Sequence, residues 1–417
     1  MGFQQGLSGL AAASKQLDVV GNNVANANTV GFKGSRAEFA DLYAASLYGV
    51  SSAQAGIGTK TSAVAQQFTQ GNITNTGNPL DMAVFGNGFF TVQRPGTNEL
   101  VYTRNGQFKL DNQGFIVNNG YQLTGYTPDA PGVIKPLQVD AGSIGAKATT
   151  AIKLATNVTA TATVPTVAFP GAVATAPDPK SYNHSTSVTV YDSLGTSHLV
   201  TMYYVKTTNP GEWQVYTRFD SNTMAAATPT TLTFDANGRL AGPVAPIAIN
   251  VGTLPNGAAI GPDADLDGYP DNTLTVDVNG TTQFASAFAV NNLVTDGYTD
   301  GVLTGLVTTK EGKVQATFSN GQVKDVGQIV LTNFRNPQGL APQGDNIWTS
   351  TPEAGDAQVN TPGAGAVGVI QSAAVEDSNI DLTTELVNMI TAQRFYQANA
   401  QTIKTQDQIL QTLINLR

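Results

Sequence analysis

The sequence has no cysteine. A disulfide scaffold, a thiolate zinc site and a cysteine nucleophile are all excluded at once. Charge is also scarce: Asp, Glu, Lys and Arg make up 12% of 417 residues, against roughly 25% in an ordinary soluble domain. The net charge is −9 and no Lys/Arg cluster occurs, so the counterion release that drives nucleic-acid binding has no source. No apolar run reaches the roughly 18–20 residues of a membrane span. The first twenty residues, MGFQQGLSGLAAASKQLDVV, lack a basic stretch followed by a continuous apolar one, and a Sec signal peptide is not expected. The chain has two histidines, His184 and His198, and neither a His-Glu-x-x-His nor a Gly-x-Ser-x-Gly motif. Zinc-dependent and serine-dependent hydrolysis therefore have no candidate residues. Gly86-Asn87-Gly88 stands outside any phosphate-binding context and reads as a turn at a strand start. No catalytic residue is assigned, and an enzyme is not expected.

Thr, Asn, Ala, Gly and Ser take the place of the missing charge. Such a surface suits a protein covered by copies of itself or by partners, and equally a secreted β-rich protein with a Thr/Asn surface.

The two ends differ from the middle. From the start, Phe3, Leu7, Leu10, Ser14, Leu17, Gly21 and Val24 fall at alternating steps of four and three, the spacing of a heptad seam. Near the other end the seam is Leu382, Leu386, Met389, Gln393, Tyr396, Ala400, Ile403, Asp407, Leu410 and Ile414, with no proline from Gln371 onward. Asp377, Ser378 or Asn379 could cap this helix, with Asp381 in position to complement its dipole. Gly6, Gly9 and Gly21 each cost the first helix about 1 kcal/mol relative to alanine. Both helices are expected to be frayed in an isolated chain and to order by packing on each other and on neighbouring copies. The alternative is an ordinary pair of terminal helices closing one globular domain.

The middle reads as β-structure, with alternating segments broken by Asn105-Gly106, Asn119-Gly120, Asn237-Gly238 and Asn320-Gly321. Residues 187–206, SVTVYDSLGTSHLVTMYYVK, read as a hairpin turning near Ser193–Gly195. Residues 141–180 are almost uncharged and rich in Ala, Thr, Val and Pro, as in a domain crossing or an extended strand region, and 241–272 reads as a second loop-like stretch. The fold class expected is mainly β with terminal α-helices, the β-domains nested as successive insertions. The helical domain takes 1–30 and 376–417, an extended linker 31–71, a core β-domain 72–144 and 294–375, and an outer β-domain 145–293.

The segment SGLAAASKQLDVVGNNVANANTVGFKGSRAEF, Ser8 to Phe39, resembles the N-terminal signature of flagellar axial proteins of the rod and hook, through Asn22, Asn23, Asn26, Gly31, Phe32 and Lys33. Ser378-Asn379-Ile380-Asp381-Leu382, with Met389, Gln393, Arg394 and Tyr396 to Ala400, resembles the matching C-terminal signature, and NPLDMAVFGNGFFTVQ, Asn78 to Gln93, resembles the start of the family's core β-domain. The asparagines can bond backbone groups freed where a helix stops, and Gly31 permits a positive φ. The inserted outer domain makes the chain resemble a hook-type member more than a distal rod protein, a rigid drive shaft. Flagellin is a poorer match, and a secreted adhesin is the other alternative.

The resemblance implies a structural subunit that polymerises into a tube, a flexible universal joint passing torque and providing an export channel. It implies that the partners are other copies of the chain, a hook cap, the distal rod, hook–filament junction proteins and the flagellar type III export apparatus, with no nucleic acid, no membrane and no cofactor. The place is the hook and basal body, outside the cell. Bending during rotation would need contacts that slide, and uncharged Thr, Asn, Gly and Ala contacts exchange at smaller cost than buried ion pairs. Few buried Arg–carboxylate pairs are then expected between outer domains.

One further pattern concerns metal. Asp263, Asp265, Asp267 and Asp271, with Gly268, match the front half of an EF-hand calcium loop. Position 12 is Leu274 and no helices flank the loop, so the alternative is an acidic solvated turn. Tyr203, Tyr204, Trp213, Tyr216 and Phe219 could form a sugar-binding face, but read more simply as cross-strand packing.

Overall fold

A computed structural model describes residues 2–42, 56–140, 142–170, 177–220, 223–224, 228–263 and 271–415. The chain divides into two compact units. The first comprises Met1–Ala141, Thr304–Thr317 and Val323–Arg417; the second comprises Gly142–Leu303 and Phe318–Gln322. Residues 142–144, 294–303 and 318–322, read from sequence with the core domain, fall in the second unit.

The first unit begins with helix α1 (Gly2–Ala25) and ends with helix α2 (Leu382–Asn415). The helices run in opposite directions, since Gly6 lies against Ile403, Gly9 against Asn399, and Asn23 against Glu385. Small residues make this approach possible: the buried face of α1 carries Gly6, Ala13, Val20 and Asn23. Residues 31–71, expected as an extended linker, contain an antiparallel hairpin. Strand β1 (Ser35–Leu42) pairs with β2 (Gly58–Gln66), from Ser35↔Gln66 to Leu42↔Gly58. The hairpin lies along α1, where Gln5 Nε2 donates to Gly56 O at 2.6 Å and Thr59 N donates to Ser8 Oγ at 3.3 Å.

Two short antiparallel pairs bring the chain ends together. Strand β3 (Ile73–Asn75) pairs with Ala374–Glu376, and β4 (Met82–Phe85) pairs with Val369–Ser372. The body behind them is one large sheet in which Phe89–Gln93 lies between Leu100–Thr103 and Tyr121–Thr127. Its fully buried side chains include Phe90, Val92, Phe108, Leu123 and Leu137. A separate aromatic cluster forms where Phe68 and Trp348 pack edge-on against Phe89, with Phe334 and Tyr102 beyond.

Asn119-Gly120 forms the expected tight turn, with φ of 48° and 84° between Asn118 and Tyr121. Asn105-Gly106 does not. Met82 N donates to Gly106 O at 2.9 Å, and a Cβ on Gly106 would lie 1.5 Å from Met82 O. Here the glycine admits a second backbone instead of closing a hairpin.

The second unit packs two sheets around one core. In the first, Ala151–Thr159 is flanked by Thr273–Asp277 and Thr282–Phe284 on one edge and by Ala289–Thr295 on the other. Part of the uncharged 141–180 stretch is thus a central strand. The second sheet runs His184–Tyr191, Ser197–Lys206, Glu212–Phe219, Thr230–Phe234 and Leu240–Gly242 in order. The expected hairpin is present, and Asp192 Oδ1 closes its turn by accepting from Leu194 N and Thr196 N at 2.9 and 2.8 Å. Tyr204, Trp213 and Phe219 belong to the core. Tyr203 sits opposite Tyr216, and Phe169 stacks on Tyr216 at 4.1 Å. These aromatics pack on one another across strands.

Candidate functional site

The signature residues of the two ends converge where the helices leave the β-body. Helix α1 stops because its asparagines cap it from behind. Asn26 Nδ2 donates to Asn22 O at 2.9 Å, and Thr29 N donates to Asn26 O at 3.0 Å. Asn23 does something else. Its buried carboxamide pairs with Ser35 as a neighbouring strand would: Oδ1 accepts from Ser35 N at 2.9 Å and Nδ2 donates to Ser35 O at 2.8 Å.

Gly31 follows with φ of 72°, and its N–H donates to Glu376 O at 2.7 Å. A Cβ there would meet Asn105 N at 2.5 Å, so both the conformation and the space require glycine. Phe32 is half-buried. Lys33 turns fully inward. Its Nζ donates to Glu376 Oε1 at 2.5 Å and to Thr69 O at 2.8 Å. Glu376 Oε1 also accepts from Gly71 N at 2.9 Å, and Oε2 accepts from Arg104 Nη1 at 2.9 Å. Arg104 Nη2 reaches Gly86 O at 2.9 Å, and the guanidinium lies over the Phe89 ring. The Lys33 and Glu376 side chains have no exposed surface, and that of Arg104 is 5% exposed. Burial pulls the Lys33 ammonium below its ordinary pKa, against the opposing pull of the Glu376 charge. Burial likewise lowers the pKa of Arg104.

Asn379 completes the joint. Its Oδ1 accepts from Gly34 N at 2.8 Å, while Nδ2 donates to Gln67 O at 2.7 Å and Thr69 Oγ1 at 2.9 Å. Asn379 is therefore not the cap of α2. The cap is Asp381, whose Oδ1 accepts from Thr383 N at 2.9 Å and Oδ2 from Thr384 Oγ1 at 3.0 Å. Those bonds, the Thr384 hydroxyl first, hold its carboxyl below the usual range. A groove of about 600 Å³ opens beside the joint, lined by Val19, Asn23, Phe39, Asn379, Asp381 and Glu385 among others.

The heptad seam lies one residue away from the face by which α1 meets α2. Phe3 and Leu7 are exposed, and Leu10, Leu17 and Val24 are half-buried. On α2, Leu382, Leu386, Tyr396, Leu410 and Ile414 are exposed, whereas Met389 and Ile403 are half-buried, Ile403 against Gly6 of α1. Gln393 and Arg394 are exposed on α2, away from the joint. Sequence reading missed Glu376 and Arg104. The available signal was a charged residue inside an apolar strand, in Ala374-Val375-Glu376 and in Val101-Tyr102-Thr103-Arg104.

Asp265 and Asp267 of the acidic segment lie outside the described residues, whereas Asp263 and Asp271 are described. Among the described residues no three His, Cys, Asp or Glu side chains gather as a metal site, and no helix is long and apolar enough to cross a membrane.

Four family models match, in chain order: flagella basal body rod protein (residues 3–33), flagellar hook protein FlgE/F/G D1 domain (83–170), flagellar basal body protein FlaE D2 domain (157–298) and flagellar basal body rod FlgEFG protein C-terminal (371–416). The flagellar hook protein FlgE of Escherichia coli is 42% identical over 429 residues, covering 100% of both chains. That of Salmonella typhimurium is 42% identical over 432 residues with the same coverage. The Borreliella burgdorferi protein of the same name is 31% identical, covering 99% of this chain and 98% of the other. The crystal structure of Helicobacter pylori flagellar hook protein FlgE2 shares the fold, with a TM-score of 0.53 at 14% identity over 73% of this chain and 100% of that one.

Proposed function

The chain belongs to the flagellar hook protein family and is a structural subunit of the flagellar hook, and from that premise we propose that its two helices are the strips by which copies stack around a central channel. Family membership places the protein at the hook and basal body and supports its polymerisation there; a distal rod protein is the less favoured alternative. The observation that carries the proposal is the uncovered apolar stripe. Phe3 and Leu7 on α1, with Leu382, Leu386, Leu410 and Ile414 on α2, expose 44–74% of their surface in a single chain, and a neighbouring copy would bury them at about 1.5–3 kcal/mol each. In an isolated chain these helices fray, and stacking orders them.

The role is mechanical, without catalysis. As the hook turns while bent, each row of subunits lengthens and shortens once per revolution, so contacts between outer domains slide. The uncharged Thr, Asn and Ala surface permits exchange of contacts without stranding buried charge. The subunits leave the cell unfolded through the flagellar type III apparatus and the growing channel, which the absence of disulfides allows. Hook cap, distal rod and hook–filament junction proteins are the proposed partners at the ends of the tube.

Electron microscopy of the purified protein tests this reading. The intact chain is expected to form tubes at high concentration, and chains lacking residues 1–30 or 378–417 are expected to form none. Tubes from either truncated chain, or no tubes from the intact one, would contradict it.

A further inference from the structure

Lys33, Arg104 and Glu376 place two cations and one carboxylate where water does not reach. A buried ion cluster is a poor way to gain stability, since apolar side chains of similar volume often serve as well or better. Its geometry is specific, however. Glu376 Oε1 takes Lys33 Nζ and Gly71 N, its Oε2 takes Arg104 Nη1, and its carbonyl takes Gly31 N. Arg104 then carries the link onward to Gly86 O at 2.9 Å and Val84 O at 3.4 Å. One carboxylate thus ties the segment leaving α1, the segment returning from the β1–β2 hairpin, the approach to α2 and the β-body. A slip by one residue of the segment carrying Lys33, or of the one carrying Glu376, strands a buried charge.

We infer that Glu376 is a positioning residue for assembly: with Lys33 and Arg104 it locks the register of both helix crossings on the β-body, so that force on the stacked helices passes to the β-domains without play. The inference rests on the hook-subunit reading and deepens it. The lock serves geometry, and the stability of the fold does not depend on it.

Two full-length variants test this. In the first, Lys33→Met, Arg104→Met and Glu376→Leu are combined, which removes all three charges of the cluster. The expected result is a β-body that melts at or above the wild-type temperature, while the protein concentration at which tubes form rises about tenfold, the equivalent of one decade in an association constant, so that tube yield at a fixed concentration near that threshold falls. Surviving tubes bend more freely, read as a shorter persistence length in micrographs. In the second, Arg104→Lys keeps the charge but loses the planar fork that reaches Glu376 and Gly86 together. The expected result is a folded protein with the same loss of tube yield and stiffness. A role that needed only the positive charge at residue 104 would leave that variant unaffected. Wild-type yield and stiffness in a folded triple variant, or in Arg104→Lys, would overturn the inference; if the triple variant does not fold, stability does depend on the cluster and the inference is likewise overturned. Failure of the wild-type chain itself to form tubes would count against the hook-subunit reading instead.

Discussion

Gly9 of α1 faces the carboxamide of Asn399 on α2 so closely that a β-carbon on residue 9 would come within 2.6 Å of Asn399 Oδ1. One turn earlier, a β-carbon on Gly6 would lie 3.0 Å from Ile403 Cγ1. The helices approach by means of these two glycines, and a large side chain at either position must part them. Overpacking of this kind costs about 1–3 kcal/mol. Gly9→Leu is expected to leave the β-body melting unchanged and to reduce tube formation. Unchanged tube yield would show that the helix pairing in the single chain is dispensable.

Gly21 offers the contrast. It lies inside α1, and nothing stands within 4 Å of where its β-carbon would be. Replacing it removes the conformational freedom of glycine without a clash, which favours the helix by about 1 kcal/mol. Gly21→Ala should raise helicity in dilute solution, measured at 222 nm. If neighbouring copies approach α1 at this point, the same variant will lower tube yield while raising helicity, and comparing the two readouts locates the contact.

These glycines also mark how far the sequence could be read. The positions of both helices, the hairpin around Asp192 and the turn at Asn119-Gly120 follow from local periodicity and turn chemistry, and the structure has them. The face by which α1 meets α2 does not follow. A 3–4 spacing of large apolar residues picks out Phe3, Leu7 and Leu10, whereas the face in contact is built from Gly6, Gly9 and Ala13, which carry little hydrophobic signal. The short-range rule for Asn-Gly failed at 105–106 because Met82, distant in sequence, occupies the space a turn would have used. The joint was half legible. Lys33 and Asn379 stood in the motifs, but Glu376 and Arg104 are 272 residues apart, and only the tertiary fold brings them together.

Trp348 shows how the hairpin is tied to the β-body. Its buried Nε1 donates to Gln66 Oε1 at 2.6 Å, at the end of β2. Gln66→Ala leaves that indole N–H buried without an acceptor, at a cost of about 1–3 kcal/mol. Gln66→Glu keeps an acceptor and should recover most of the loss. The chain has two tryptophans, and Trp213 belongs to the second unit. In a Trp213→Phe background, denaturant unfolding followed by fluorescence therefore reports the first unit alone. Equal midpoints for Gln66→Ala and the parent would show that the bond contributes nothing.

The second unit should lose stability on mild acidification because of His184. Its ring is stacked 4.6 Å from Phe288 and 5.9 Å from Trp213, and its buried Nε2 has no hydrogen-bond partner among the described residues. Burial lowers its pKa below the ordinary value of 6.5. The unfolded chain therefore takes up a proton near 6.5 that the folded unit resists, and stability falls as pH drops through that value. Asp192 and Asp296 act in a lower window. Burial pushes both carboxyls up, but hydrogen bonds, chiefly from Asn256 to Asp192 and from Thr150 to Asp296, leave both below their ordinary 3.8. Their contribution is present above 3.8 and is lost only as the pH falls further. The measurement is denaturant unfolding of a Trp348→Phe chain, read by Trp213 fluorescence between about pH 5 and 7.5, the window in which an ordinary histidine titrates. The midpoint should fall with pH in that chain and fall less steeply once His184→Phe is added; an identical slope in both would assign the acid sensitivity to other groups.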